Sequence, residues 1–136
     1  MCGIVGVISR SALAAADRGT VLRMNALQRH RGPDGEGRYD GPQVMLAMRR
    51  LSIIDLNTGW QPLYSEDRQI VLIANGEIYN HVALRNELHD RGHRFATGSD
   101  CETVIHAYEE FGDAFVDHLR GMYAFALWAA RRERRG

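Results

Sequence analysis

Apolar positions along this 136-residue chain fall into short blocks whose period switches between that of a strand and that of a helix. The first block, Gly3-Ile4-Val5-Gly6-Val7-Ile8-Ser9, is β-branched and bounded by glycine, which predicts a buried strand. Ser11 can cap a helix that runs to about Arg29, with Leu13, Val21, Met24 and Leu27 as an imperfect apolar stripe and Gly19 weakening its middle. His30-Arg31-Gly32-Pro33-Asp34-Gly35 then breaks the pattern with turn chemistry; its composition favours a surface loop, and such a loop also suits a ligand lid. Residues 44–48 and 51–54 predict two strands interrupted by Arg49 and Arg50. Neighbouring strand residues face opposite ways, so at least one of these arginines should be exposed or paired with an anion. Asn57-Thr58-Gly59 reads as a turn and Gln61-Pro62-Leu63-Tyr64 as an extended segment.

Residues 69–74 form the clearest strand, apolar after Gln69 and so buried on both faces. They lead into Asn75-Gly76-Glu77-Ile78-Tyr79-Asn80, which sets polar groups and a glycine at the end of a core strand. Asn80 suits a helix N-cap, with Tyr79 and Leu84 at the hydrophobic-staple positions, and that helix runs to about Arg91 before Gly92 stops it. Ser99 and Glu102 have capping-box spacing for a further helix through about Phe111, with Val104, Ile105, Tyr108 and Phe111 on one side. A helical turn over residues 113–119 and an alternating strand over 122–128 follow. Strands with helices between them predict an α+β protein whose sheet is mainly antiparallel.

Composition narrows the chemistry. The length suits one domain, and with equal numbers of basic and acidic groups, 17 each, there is no charge argument for nucleic acid or a membrane surface. Every basic residue is arginine, which excludes a lysine nucleophile, a Schiff base and a Walker-type lysine. Two cysteines, Cys2 and Cys101, are too few for a disulfide framework or a metal cluster, so a reducing, cytoplasmic setting and no metal are expected. No stretch reads as a targeting signal or a membrane span. The charged end, residues 131–136, could touch anions as a basic tail but reads better as a solvated terminus or a turn between strands.

Cys2 stands directly behind the initiator methionine. Removal of Met1 would give a residue that carries both a thiol and a free α-amine of pKa roughly 7.7–8.0, able to take the thiol proton. A nucleophilic cysteine also needs an oxyanion hole and a grip on its substrate. Asn75 offers a side-chain amide, and Gly76 a backbone N–H that a ligand can approach closely. An arginine can hold a carboxylate in two prongs, and Glu77 and Asp100 can hold an ammonium; together these describe a pocket for a free α-amino acid. Each group has a plainer reading alone: Asn-Gly is turn chemistry, and Asp100 suits the start of the helix it precedes.

Six motifs in order, Met-Cys-Gly-Ile-Val-Gly at the start, Arg29-His30-Arg31-Gly32-Pro33-Asp34, Arg50-Leu51-Ser52-Ile53-Ile54-Asp55, Gln61-Pro62-Leu63, Asn75-Gly76-Glu77-Ile78-Tyr79-Asn80 and Thr97-Gly98-Ser99-Asp100, span nearly the whole chain. They resemble the glutaminase domain of glutamine-hydrolysing asparagine synthases, class II amidotransferases with an N-terminal nucleophile. The resemblance implies one domain over residues 1–136, an αββα four-layer sandwich. It implies that Cys2 attacks the side-chain amide of glutamine, that Asn75 and Gly76 form the oxyanion hole, that Arg50 holds the substrate carboxylate, that Ile53 belongs to the substrate-binding set, and that Glu77 and Asp100 bind the α-amine. It further implies glutamine as substrate and no cofactor in this segment, ATP and magnesium belonging to a synthetase domain. In the family that domain follows further sheet strands, so a fold incomplete at the C-terminus and a synthetase domain or subunit in trans are expected. Where family members often carry a histidine two residues before the binding arginine, this chain has Met48, expected to alter the pocket rim. The rival readings are a non-catalytic remnant or interaction module, and a glutaminase serving another amide acceptor.

Overall fold

The computed structural model describes residues 2–52 and 59–130. Two three-stranded sheets stack face to face. One, in the order β1-β3-β2, is built from β1 (Gly3–Ile8), β2 (Gly35–Asp40) and β3 (Val44–Arg50); the other, β4-β5-β6, from β4 (Leu63–Tyr64), β5 (Ile70–Ile78) and β6 (Gly121–Ala129). All four strand pairings are antiparallel. Alternation along each central strand divides the apolar residues between layers. Val44, Leu46 and Met48 of β3 meet Val71 and Ile73 of β5 between the sheets. Met45 and Ala47 face the other way, onto Val21 of helix α1 (Ala15–Leu27). Leu72, Ala74 and Ile78 of β5 pack against Leu84 and Leu88 of α2 (His81–Asp90) and Val104 and Ile105 of α3 (Glu102–Phe111). The layers therefore run α1, first sheet, second sheet, α2 with α3, the four-layer αββα arrangement. No helix among the described residues is long and apolar enough to cross a membrane.

Several elements differ from the sequence expectation. Helix α1 starts at Ala15, not at Ser11, because the carboxylate of Asp17 reaches back to the Ala14 N–H at 3.1 Å. Its stripe is shorter than predicted: Val21 is buried, whereas Met24 and Leu27 are exposed. Strand β2 was not anticipated, since Gly-Glu-Gly-Arg-Tyr-Asp has no hydrophobic alternation. Its glycines serve packing, because a Cβ on Gly37 would sit 1.8 Å from the Gln61 carbonyl oxygen. Strand β3 takes in both Arg49 and Arg50 and ends there, and Leu51 and Ser52, the described start of the second predicted strand, are not strand. Residues 53–58, which include the rest of the second predicted strand and most of the predicted turn, lie outside the described residues, as do Met1 and 131–136.

Strand β5 likewise continues through Asn75, Gly76 and Glu77, where a strand end had been expected. Asn80 does precede α2, but its side chain is used elsewhere, accepting the Arg120 N–H at 2.9 Å and donating to the His118 carbonyl at 2.9 Å. Tyr79 is exposed, so no staple closes over that helix start. Met48 is wholly buried between the sheets and not at a pocket rim, because its place on β3 puts it on the same face as Leu46. A 3₁₀ helix, Gly112–His118, fills the predicted turn before β6. In β6, Tyr123, Phe125 and Leu127 face the helices while Ala126 and Trp128 face the first sheet.

Candidate active site

The strand alternation that builds the inter-sheet core also carries polar residues out of it at one end. On β3, Arg50 follows Val44, Leu46 and Met48 on the inward face; on β5, Asn75 and Glu77 follow Val71 and Ile73. Cys2 precedes β1 and packs against the same inter-sheet cluster. These four residues, with Gly76 and Asp100, line one cavity of about 360 Å³.

Cys2 is held from three sides. The Leu51 N–H donates to its sulfur at 3.3 Å, its S–H faces the Leu51 carbonyl at 3.7 Å, and Arg31 Nε donates to its carbonyl at 3.3 Å. The loop of residues 29–34 is therefore a bracket and not a free surface turn. Asp34 accepts the Ser52 N–H at 2.8 Å and donates its own N–H to the Arg50 carbonyl at 2.9 Å. Gly32 passes so close to β3 that a Cβ would lie 2.3 Å from the Arg49 carbonyl carbon. Both ends of the segment that carries Leu51 are thus pinned beside the sulfur.

The paired arginines divide as a strand requires. Arg49, on the α1 side, meets Glu36 at 3.2 Å and the Gly32 carbonyl at 3.0 Å. Arg50 is buried, only 5% exposed, with its guanidinium 4.1 Å from the centre of the Trp60 ring. That stack uses the flat face of the guanidinium, whereas an anion is gripped through the N–H groups at its edge. Trp60 was not singled out by its sequence context.

Along β5, N–H groups alternate between the two edges of the strand. The Ala74 N–H donates to the Gln61 side chain at 2.6 Å and the Ile78 N–H to Asp100 Oδ2 at 2.7 Å, so neither points at β6. The Gly76 N–H lies midway and faces the same edge. Gly76 has φ +146°, and a Cβ there would come 2.1 Å from the Met122 carbonyl oxygen and 2.5 Å from Tyr123 Cα. Only glycine fits this close pairing with β6. Asn75, half-buried, turns its side chain toward the inter-sheet face that Cys2 occupies.

Asp100 is 5% exposed and reaches the cavity from just before α3. Glu77 is exposed at the mouth. Ile53, the remaining expected site residue, lies outside the described residues. Cys101 also lines the cavity; burial pushes its thiol well above the ordinary range, and the neighbouring Asp100 and Cys2 add to this. A second cluster of polar groups lies behind the site. Both nitrogens of the buried His106 meet carboxylates, Nε2 to Glu102 and Nδ1 to Glu109, each at 3.1 Å. Burial opposes its charge, but the bonds to Glu102 and Glu109 outweigh it and raise the imidazole to a pKa of about 9. His93, His106 and Glu109 bring potential ligand atoms within 4.8 Å of one another. With His93 Nε2 2.8 Å from Glu110, these groups are already hydrogen-bonded to one another and to their neighbours. The predicted capping box is also redrawn, since the Glu102 carboxylate accepts the Ala96 and Thr97 N–H groups, while the Ser99 N–H goes to the Thr97 hydroxyl.

The chain resembles known proteins in sequence and in fold. The family described as glutamine amidotransferase domain matches residues 1–135. The chain is 48% identical over 133 residues to glutamine-hydrolyzing asparagine synthetase B of Escherichia coli (strain K12), covering 98% of this chain and 24% of that protein. It is 47% identical over 131 residues to glutamine-hydrolyzing asparagine synthetase 3 of Arabidopsis thaliana, covering 96% of this chain and 22% of that protein. The chain thus spans about a quarter of the length of the curated relatives it matches. Among solved structures, glutamine phosphoribosylpyrophosphate amidotransferase from B. subtilis, complexed with ADP and GMP, superimposes with a TM-score of 0.73 at 18% identity, over 96% of this chain and 35% of that one. At that identity the likeness speaks to the fold, which is the same layered sandwich.

Proposed function

The chain belongs to the glutamine amidotransferase domain family, and on that premise we propose that residues 1–136 act as one glutaminase unit that hydrolyses the side-chain amide of glutamine through a thioester on Cys2. The observation that carries this reading is the convergence of Cys2, Asn75, Gly76, Arg50 and Asp100 on one cavity of about 360 Å³. That volume lies in the range of roughly 300–1,000 Å³ typical of small-molecule sites.

In the proposed sequence, removal of Met1 frees the Cys2 α-amine, which takes the thiol proton as the sulfur attacks the amide carbon. The oxyanion that forms accepts hydrogen bonds from the Asn75 side-chain amide and the Gly76 N–H. The α-ammonium then protonates the departing nitrogen, the carbon–nitrogen bond breaks, and ammonia leaves a glutamyl thioester. Water adds to that thioester with the α-amine again taking a proton, and glutamate departs as the sulfur recovers its hydrogen. Arg50, whose guanidinium stacks on Trp60, holds the substrate carboxylate through paired charge-assisted hydrogen bonds. Glu77 and Asp100 hold the substrate ammonium.

The names of the relatives support aspartate as the final amide acceptor, in an ATP- and magnesium-dependent part that lies beyond the matched quarter or is supplied in trans. Glutamine hydrolysis itself calls for no cofactor in this reading, and a free thiol nucleophile suits the reducing cytoplasm. Glutamate release from glutamine by the purified chain, compared with Cys2→Ala, tests the proposal, with intact mass establishing that Met1 is gone. Equal release by the two Met1-free proteins would overturn it.

A further inference from the structure

The segment that delivers Asp100 to the cavity, residues 96–101, has no repeating structure of its own. Its position is fixed by side chains. Glu102, 2% exposed, accepts the Ala96 N–H at 2.7 Å and the Thr97 N–H at 2.8 Å, and also takes the Thr97 hydroxyl and His106 Nε2. The Thr97 hydroxyl in turn accepts the Ser99 N–H at 3.2 Å, and the Ser99 hydroxyl accepts the Cys101 N–H at 3.3 Å. From the opposite side, Arg85 of α2 donates to the carbonyls of Thr97 at 3.0 Å and Ser99 at 2.9 Å, with its guanidinium 4.2 Å over the Phe95 ring. The backbone on either side of Asp100 is thereby tied to a carboxylate on α3 and a guanidinium on α2.

This arrangement spends a buried, charged carboxylate on a loop. Burial opposes the Glu102 charge, and the bonds from His106 and Thr97 more than offset it, holding the carboxyl below its usual range. A loop that needed only to connect two helices could be held at lower cost by apolar contacts. What this one gains is placement: one Asp100 oxygen is committed to the Ile78 N–H at 2.7 Å, which sets the angle at which the carboxylate meets the cavity.

We propose that Thr97 and Glu102 are positioning residues that hold Asp100 for the α-ammonium of the ligand, and so set the selectivity of the pocket for α-amino acids over analogues lacking the amine. The inference rests on the assignment of Asp100 to the ammonium. Shifting the Asp100 carboxylate by a fraction of an ångström weakens a charge-assisted hydrogen bond and leaves the Arg50 end of the pocket unchanged.

The test is calorimetric titration of the Cys2→Ala protein with L-glutamine and with its deamino analogue, the same carboxylate and carboxamide without the amine. The parent binds glutamine more tightly than the analogue. Adding Thr97→Val weakens glutamine binding about tenfold and leaves the analogue within about twofold. Thr97→Ser, which keeps the hydroxyl, restores the parent preference, and Glu102→Gln gives the same selective loss by a second route. Equal weakening of both ligands, or of neither, overturns the inference. Asp100→Asn separates this from failure of the underlying assignment. If it abolishes the preference while Thr97→Val does not, the positioning role falls and the clamp stands; if the parent shows no preference, both fall.

Discussion

Replacing Asn75 with alanine removes the side-chain donor proposed for the oxyanion while leaving the scaffold in place. Asn75 lies opposite Ala124 in the β5–β6 ladder, and its half-buried side chain borders the cavity. Truncation therefore opens onto space that water already reaches, creating no sealed void, and the stability cost should stay within about 1 kcal/mol. The catalytic cost is larger. Loss of one oxyanion donor is worth about 2.7–4 kcal/mol of transition-state stabilisation, which at roughly 1.36 kcal/mol per decade is a 100- to 1,000-fold fall in kcat. Because the neutral amide carbonyl of bound glutamine gains much less from that donor than the oxyanion does, KM should move by less than about threefold. Steady-state glutamate release over a range of glutamine concentrations, with a thermal melt of each protein, measures all three quantities. A kcat within threefold of the parent, or a rise in KM at unchanged kcat, would refute the oxyanion role and make Asn75 a ground-state contact.

Gly76→Ala should lower the melting temperature by several degrees and abolish glutamate release, because the new methyl would lie 2.1 Å from the Met122 carbonyl oxygen and can be accommodated only by parting β5 from β6. Arg50→Lys should raise KM for glutamine about tenfold or more with a smaller change in kcat, since lysine keeps the charge but loses both the stack on Trp60 and the two-pronged grip. For His106, whose pKa is raised to about 9 by Glu102 and Glu109, protonation stabilises the folded state fully below pH about 6.5, and the contribution is lost as pH rises through about 9. Thermal melts between pH 6 and 10 should therefore show the parent losing stability toward alkaline pH, with a shallower slope in His106→Gln; parallel slopes would contradict the charged imidazole.

The sequence was legible where chemistry and local pattern coincide. Cys2, Arg50, Asn75, Gly76, Glu77 and Asp100 could all be named from motifs, and the structure brings all six to one cavity. The strands that bury apolar residues on alternate faces, β1, β3, β5 and β6, could be read for the same reason. What escaped was set by distant neighbours. Strand β2 has no apolar alternation to announce it, and its glycines make sense only once the segment carrying Gln61 is seen passing over them. Arg49 and Arg50 interrupt the hydrophobic pattern, which gives no reason to carry β3 beyond Met48, whereas each arginine is covered by a partner from elsewhere: Glu36 and Gly32 for one, Trp60 for the other. His106 carries no signal of its own among the apolar residues of α3, and the spacing of Glu102 reads as a local cap. Both belong to a network that spans α2, α3 and the loop before Asp100, and residue spacing along one helix does not reveal such a connection.

The most direct test of Cys2 as the nucleophile is covalent labelling with a glutamine analogue in which a diazomethyl ketone replaces the side-chain amide. Cys2 and Cys101 both border the cavity, but burial keeps the Cys101 thiol protonated, so the two sulfurs compete on unequal terms. Peptide mass mapping after exposure at neutral pH should find one adduct per chain, on a Cys2 freed of Met1, with Cys101 unmodified and with excess glutamine protecting the site. An adduct on Cys101, or equal labelling of the two cysteines that glutamine does not suppress, would contradict it.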